Sequence, residues 1–206
     1  MASSIDFTRG EVVHSADTRV TLYGVSWLQY ETMLAWRGES PIPRYSYLDG
    51  VLEIMSPSFD HERIKSYIGR IVEAYALAVG IEFTPVGSWT LKHALSARGA
   101  EPDECYIIGE HVKERPDLVI EVIWTSGGID KLEIYRGLGV REVWLVKNGA
   151  IAVHELVDGT YSERPRSVAF PGLDLALVVE LVGEPTASAA QRKIAAWAVG
   201  VTSPLT

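Results

Sequence analysis

Residues 115–124 read RPDLVIEVIW, a run in which Glu121 has apolar neighbours on both sides. Extended, the segment turns Asp117, Val119, Glu121 and Ile123 one way and Leu118, Ile120 and Val122 the other. Both faces are largely apolar, so the Glu121 carboxylate is expected inside the protein. An ionised carboxylate buried alone costs several kcal/mol or takes up a proton, so Glu121 requires a cation: a basic side chain or a metal.

A second acid lies upstream. EPDECYII, residues 101–108, sets Asp103 behind Pro102 at the start of the preceding strand, where it can lie beside Glu121. Two carboxylates on neighbouring strands repel unless a hard cation lies between them. Mg2+ takes one or two carboxylates and completes its shell with water and phosphate oxygens. Lys131 is the third residue of interest. It falls in the first turn of a short helix, where the helix dipole disfavours a cation and a merely structural lysine is less expected. From there its ammonium can reach back to a metal-bound water or to a phosphate.

The elements that must position these groups are readable from periodicity and turn residues. A capping box, Ser26 with Gln29, opens a helix through WLQYETMLAW that stops near Gly38. RYSYLDGVLEIM forms two short strands about Asp49 and Gly50. From about Asp60 to Val79, the residues Ile64, Tyr67, Ile68, Ile71, Tyr75 and Ala78 recur at helical steps, and Gly80 closes the helix. IEFTPVGSWTL, EPDECYII and PDLVIEVIW read as three successive strands. Gly127 and Gly128 break the pattern, and a short helix from about Ile129 to Leu138 ends at Gly139. VREVWLV and IAVHEL form a hairpin about Asn148-Gly149, and Asp158-Gly159 turns into GTYSE. PGLDLALVVELV fits a strand or a helix. TASAAQRKIAAWAVG is an amphipathic tail that packs on the core or on a partner. The order predicts an α/β fold, a central mixed sheet flanked by helices, with an additional N-terminal helix and β-hairpins.

Composition limits the function classes. A chain of 206 residues, 47% hydrophobic, suits one domain with a sizeable core. Its net charge of −8 provides no basic field to hold nucleic acid or an anionic membrane, so contact with a polyanion must be local and metal-assisted. Cys105 is the single cysteine, which excludes an intramolecular disulfide. There is no signal-peptide pattern and no apolar run of the roughly 18 residues a membrane span needs, so a cytoplasmic location is expected.

Taken together, EPD, PDLVIEV and the downstream lysine in DKLEIYRGLGVREVWLV resemble the Uma2 family of restriction-endonuclease-like proteins, within the PD-(D/E)XK nuclease superfamily. The likeness runs from YLDGVLEIMSPSFDHERI to FPGLDLALVVEL, most of the chain. It implies a restriction-endonuclease-like core in a single domain over 1–206, with 1–20 and 200–206 peripheral. It also implies hydrolysis of phosphodiester bonds, in DNA, dependent on Mg2+ or Mn2+. Asp103 matches the motif aspartate and Glu121 the acidic residue of the (D/E)XK element. The backbone carbonyl of Val122 would be a further metal ligand. Two residues after Glu121 the sequence has Ile123 where the superfamily motif has lysine, and Lys131 on the next helix takes that role. DHERI resembles the family's helix start, which makes His61 and Glu62 candidates. Against a site role, Glu62 simply suits the helix dipole and His61 suits capping or packing. Ser66 and Gly69 leave the Glu62 face open to close approach. Asp117, on the same face as Glu121, is a further candidate; the alternative is that it shapes the turn before its strand.

In this reading one divalent ion on Asp103 and Glu121 polarises a phosphate and acidifies a water, while Lys131 orients that water or balances charge. Two rivals remain: a non-catalytic or metal-only member of the fold acting as an interaction module, and a structural domain with Glu121 paired to an arginine. The basic residues Arg63, Lys65, Arg70 and Lys92 line a groove or are simply solvated. The apolar tail and six tryptophans suggest a homodimer.

Overall fold

The run LVIEV becomes β8 (Leu118–Val122), and all five residues are buried, as a strand covered on both faces requires. In this computed structural model, which describes residues 16–109, 113–123 and 128–202, β8 lies at the heart of a six-stranded mixed sheet. Its neighbours are β7 (Glu104–Ile108), antiparallel, and β9 (Glu142–Lys147), parallel. The sheet continues through β10 (Ala150–Val157) and β11 (Thr160–Arg164) on one side, and β4 (Phe83–Pro85) closes the other. A second, antiparallel sheet has the order β1 (Thr18–Tyr23), β3 (Val51–Ser56), β2 (Arg44–Leu48), β6 (Arg98–Ala100) and β5 (Leu91–His93).

Alternation along β8 divides the core as expected. Leu118, Ile120 and Val122 join Tyr106 and Trp144 against α2 (Phe59–Val79), α4 (Leu175–Leu181) and α5 (Ala187–Thr202). Val119 faces the other way with Cys105 and Val143, toward α3 (Lys131–Leu138) and the second sheet. The remaining helix, α1 (Trp27–Arg37), carries the expected capping box: Ser26 Oγ accepts from Gln29 N at 3.3 Å, and Gln29 Oε1 accepts from Ser26 N at 2.7 Å. The β2–β3 hairpin turns on Asp49 and Gly50 at φ 44° and 89°. Such a turn needs positive φ at both central residues. Asn148-Gly149 and Asp158-Gly159 repeat that solution.

Two differences from the sequence reading have physical causes, and two alternatives it left open are resolved. IEFTPVGSWTL is not one strand: β4 ends at Pro85, which has no N–H to continue a ladder, and the chain crosses by Gly87 (φ 56°) to β5 in the other sheet. β6 is only three residues long, and β1 is largely exposed on both faces, so neither carries a readable alternation. PGLDLALVVELV resolves as a helix because Asp174 caps it, accepting from Ala176 N and Leu177 N at 2.9 and 3.2 Å. The amphipathic tail is α5, and it packs on its own chain: Ala190, Ile194 and Ala198 are buried, and Trp197 meets Tyr75 at 6.2 Å. The tail therefore no longer argues for a second copy. The break expected at Gly127 lies outside the described residues. Among the described residues no helix is long and apolar enough to cross a membrane.

Candidate functional site

Strand register sets the two acids side by side. Glu104 lies opposite Ile120 and Cys105 opposite Val119, so one step back along the antiparallel pair brings Asp103 opposite Glu121. Asp103 is 1% exposed and Glu121 3%. Asp103 Oδ2 accepts the Val122 N–H at 2.6 Å. An extended residue presents its N–H and C=O to the same neighbouring strand, so the Val122 carbonyl turns toward Asp103 as well.

Helix α3 supplies the groups that meet Glu121. Asp130 caps the helix, accepting from Glu133 N at 3.0 Å, which fixes Lys131 in the first turn as the sequence implies. Lys131 and Tyr135 are four residues apart and share one helix face. Lys131 Nζ donates to Glu121 Oε1 at 3.3 Å and to Ser46 Oγ at 2.7 Å, and the Tyr135 hydroxyl donates to the same Glu121 oxygen.

Around Asp103 the partners come from α2 and β2. His61 Nε2 lies 2.9 Å from Asp103 Oδ1, and His61 Nδ1 lies 3.1 Å from Asp17 Oδ2. The second oxygen of Asp17 accepts the Ser58 N–H at 2.8 Å, while Ser58 Oγ caps α2 by accepting from His61 N. Arg44 donates through Nη1 to Asp103 Oδ1 and through Nη2 to Glu62 Oε1, the latter at 2.5 Å. The small residue at Gly69 has the use expected of it: a Cβ there would meet the Tyr106 hydroxyl at 3.1 Å, so β7 lies close against α2.

The structure thus brings Asp103, Glu121, Lys131, His61 and Glu62 together in two adjoining clusters, Glu121 with Lys131 and Asp103 with His61 and, through Arg44, Glu62. Asp117 stands apart, four strand residues or about 13 Å from Glu121. It accepts from Ile108 N at 2.8 Å and from Lys113, closing the β7–β8 turn. Arg44, Ser46, Tyr135 and Asp17 are the members the sequence reading missed. Alternation in RYSYL already put Arg44 and Ser46 on one face, and helical spacing put Tyr135 over Lys131. Asp17 gave no such signal, being 44 residues from His61 in sequence.

The electrostatics of the two acids diverge. Burial alone would raise the pKa of Asp103, but the His61 bond and charge, Arg44 and the Val122 N–H outweigh it and hold it to about 2. Glu121 is raised by burial, against Lys131, with Asp103 adding to the rise. Burial would lower His61, yet its bonds to Asp103 and Asp17 push it up to about 9.

All the acidic donors are hard oxygens. Among the described residues no three Asp, Glu, His or Cys side chains form a ready-made metal cluster. Two carboxylates and a backbone carbonyl nevertheless suit Mg2+ or Mn2+, which leave their remaining positions to water and phosphate. The cation nearest Glu121 is Lys131, so the basic side-chain partner that a buried glutamate needs is present; the arginine meets Asp103 instead. Two of the three basic residues of α2 are also engaged: Lys65 pairs with Glu62 at 3.2 Å and Arg63 with Asp60 at 3.8 Å.

No curated protein matches the chain. A family model does match, over residues 27–190, about four fifths of the sequence and all of the site except Asp17, and the chain therefore belongs to the Uma2 family, described as "Putative restriction endonuclease".

Proposed function

We propose that the protein is a divalent-metal-dependent endonuclease that hydrolyses phosphodiester bonds of DNA on a restriction-endonuclease-like core. The observation that carries this reading is the pair Asp103 and Glu121, buried and opposed on adjacent strands, with the Lys131 ammonium 3.3 Å from Glu121. Asp103, Glu121 and the Val122 carbonyl would hold Mg2+ or Mn2+. When bound there, such an ion supplies Lewis acidity toward a phosphate oxygen and acidifies a coordinated water.

The remaining steps fall to the chain. Ser46 and Glu121 hold Lys131 Nζ between β2 and β8, where the ammonium can orient the attacking water or balance charge developing on the phosphate. Tyr135 fixes the Glu121 oxygen shared with Lys131. His61 braces Asp103 through Oδ1 and is itself braced by Asp17. With a net charge of −8, the grip on a nucleic acid rests on this local site rather than on the whole surface.

One observation favours a second reading, a non-catalytic interaction module: Asp103 Oδ1 already receives both Arg44 and His61. Duplex DNA incubated with the protein and Mg2+ or Mn2+ separates the two. The nuclease reading expects nicking or cutting that disappears in Asp103→Asn and in Glu121→Gln. Cleavage that survives both substitutions defeats the site assignment, and a folded protein inert under every divalent metal supports the module.

A further inference from the structure

We infer, on the basis of the metal-dependent reading above, that Arg44 occupies the cation position of the site, and that its guanidinium and a divalent ion exclude one another at Asp103 Oδ1. The two oxygens of Asp103 are not equivalent. Oδ2 is committed to the Val122 N–H at 2.6 Å, a backbone donor fixed in the central strand. Oδ1 is filled by two donors, His61 and Arg44, so a cation that uses Oδ1 must displace one of them.

Of these two, Arg44 is the one with a partner outside the site, although its own side chain is only 6% exposed. The other nitrogen of His61 is held by Asp17, and the ring is 1% exposed. Arg44 instead has its second hand on Glu62, whose side chain is 36% exposed and lies at the rim of the site. Glu62 is also tied to Lys65, which lies 3.8 Å from Glu104 as well, so a second cation already serves this acid. The contrast with Arg37 is informative. Arg37 gives both terminal nitrogens to one carboxylate, Glu101, which is further held by Tyr45 N and Thr90 Oγ1; this is a closed structural pair. Arg44 gives one nitrogen to each of two carboxylates from different elements, and Glu121 also attracts its charge. It neutralises the acidic cluster when no metal is present, so the fold does not depend on metal. It retains Glu62 as a counter-ion when displaced.

The test is Mn2+ titration calorimetry on the full chain after chelator treatment, with thermal unfolding measured in parallel. Arg44→Met should bind Mn2+ about tenfold more tightly than the unaltered protein and gain more thermal stability from it, because the competing charge is gone. If Arg44→Met does not fold without metal, Arg44→Lys serves: a single ammonium does not span both carboxylates, and tighter Mn2+ binding is again expected. Equal or weaker affinity in the folded Arg44 variants, while the unaltered protein binds Mn2+ and Asp103→Asn does not, overturns the inference and leaves the metal site standing. Absence of Mn2+ binding in the unaltered protein and in both Arg44 variants removes the metal reading and the inference with it.

Discussion

The Asp17, His61 and Asp103 side chains form a buried file in which one imidazole is shared between two carboxylates. The His61 pKa is raised from 6.5 to about 9 in the folded protein. Its stabilising effect is therefore fully present below about pH 6.5 and is lost as the pH rises through about 9. A shift of that size corresponds to at most about 3 kcal/mol, and the same contacts also depress Asp103, so the two effects are not additive. Urea unfolding of the metal-free protein should show stability falling between pH 6.5 and 9, and His61→Gln should lack most of that fall. Equal pH dependence in the two proteins would show that the imidazole is not the titrating group. At this scale the sequence revealed the acids better than their partners. Glu121 is conspicuous because it interrupts an apolar run. Arg44 is not, because an arginine beginning a short strand resembles any solvated edge residue until the fold buries it.

Elements determine which of these groups meet, and those with strong local signals were the readable ones. The α2 periodicity, the Ser26 capping box and the three turn pairs with positive φ each state their conformation within a few residues. The three-residue β6 does not, and neither does the change of sheet after Pro85, which depends on contacts distant in sequence. The C-terminal segment illustrates how a long-range anchor is made. Glu142, at the start of β9, is 1% exposed and accepts from Trp144 Nε1 at 2.6 Å, Ser167 Oγ at 2.5 Å, Val168 N at 2.7 Å and Ala169 N at 3.1 Å. It is the carboxylate that ties the stretch before α4 to the sheet. Replacing it by alanine strands four donors and should cost about 3 kcal/mol or more by chemical denaturation. Mn2+ affinity of the folded protein should be unchanged, since Glu142 lies three positions along β9 from Leu145, the residue opposite Glu121. A loss below about 1 kcal/mol would mean that water replaces the carboxylate readily.

At the scale of the whole molecule, the family match spans every element that contributes to the proposed site except the segment of Asp17. The match over residues 27–190 takes in β2, α2, β7, β8 and α3, the five elements that meet at Asp103 and Glu121. The mixed sheet was readable as a class because strands and helices alternate in the chain. Its division into two sheets was not, since the second is built from short strands that come together from residues 18 to 100. The protein is acidic overall, and the proposed site lies where the two sheets and α3 come together. The most direct measurement is anomalous scattering from a crystal grown or soaked with Mn2+. The account predicts a peak within coordination distance of Asp103 Oδ1 and a Glu121 carboxylate oxygen, with Arg44 withdrawn toward Glu62. A saturated crystal with no peak there, and Arg44 still seated on Asp103, would contradict it.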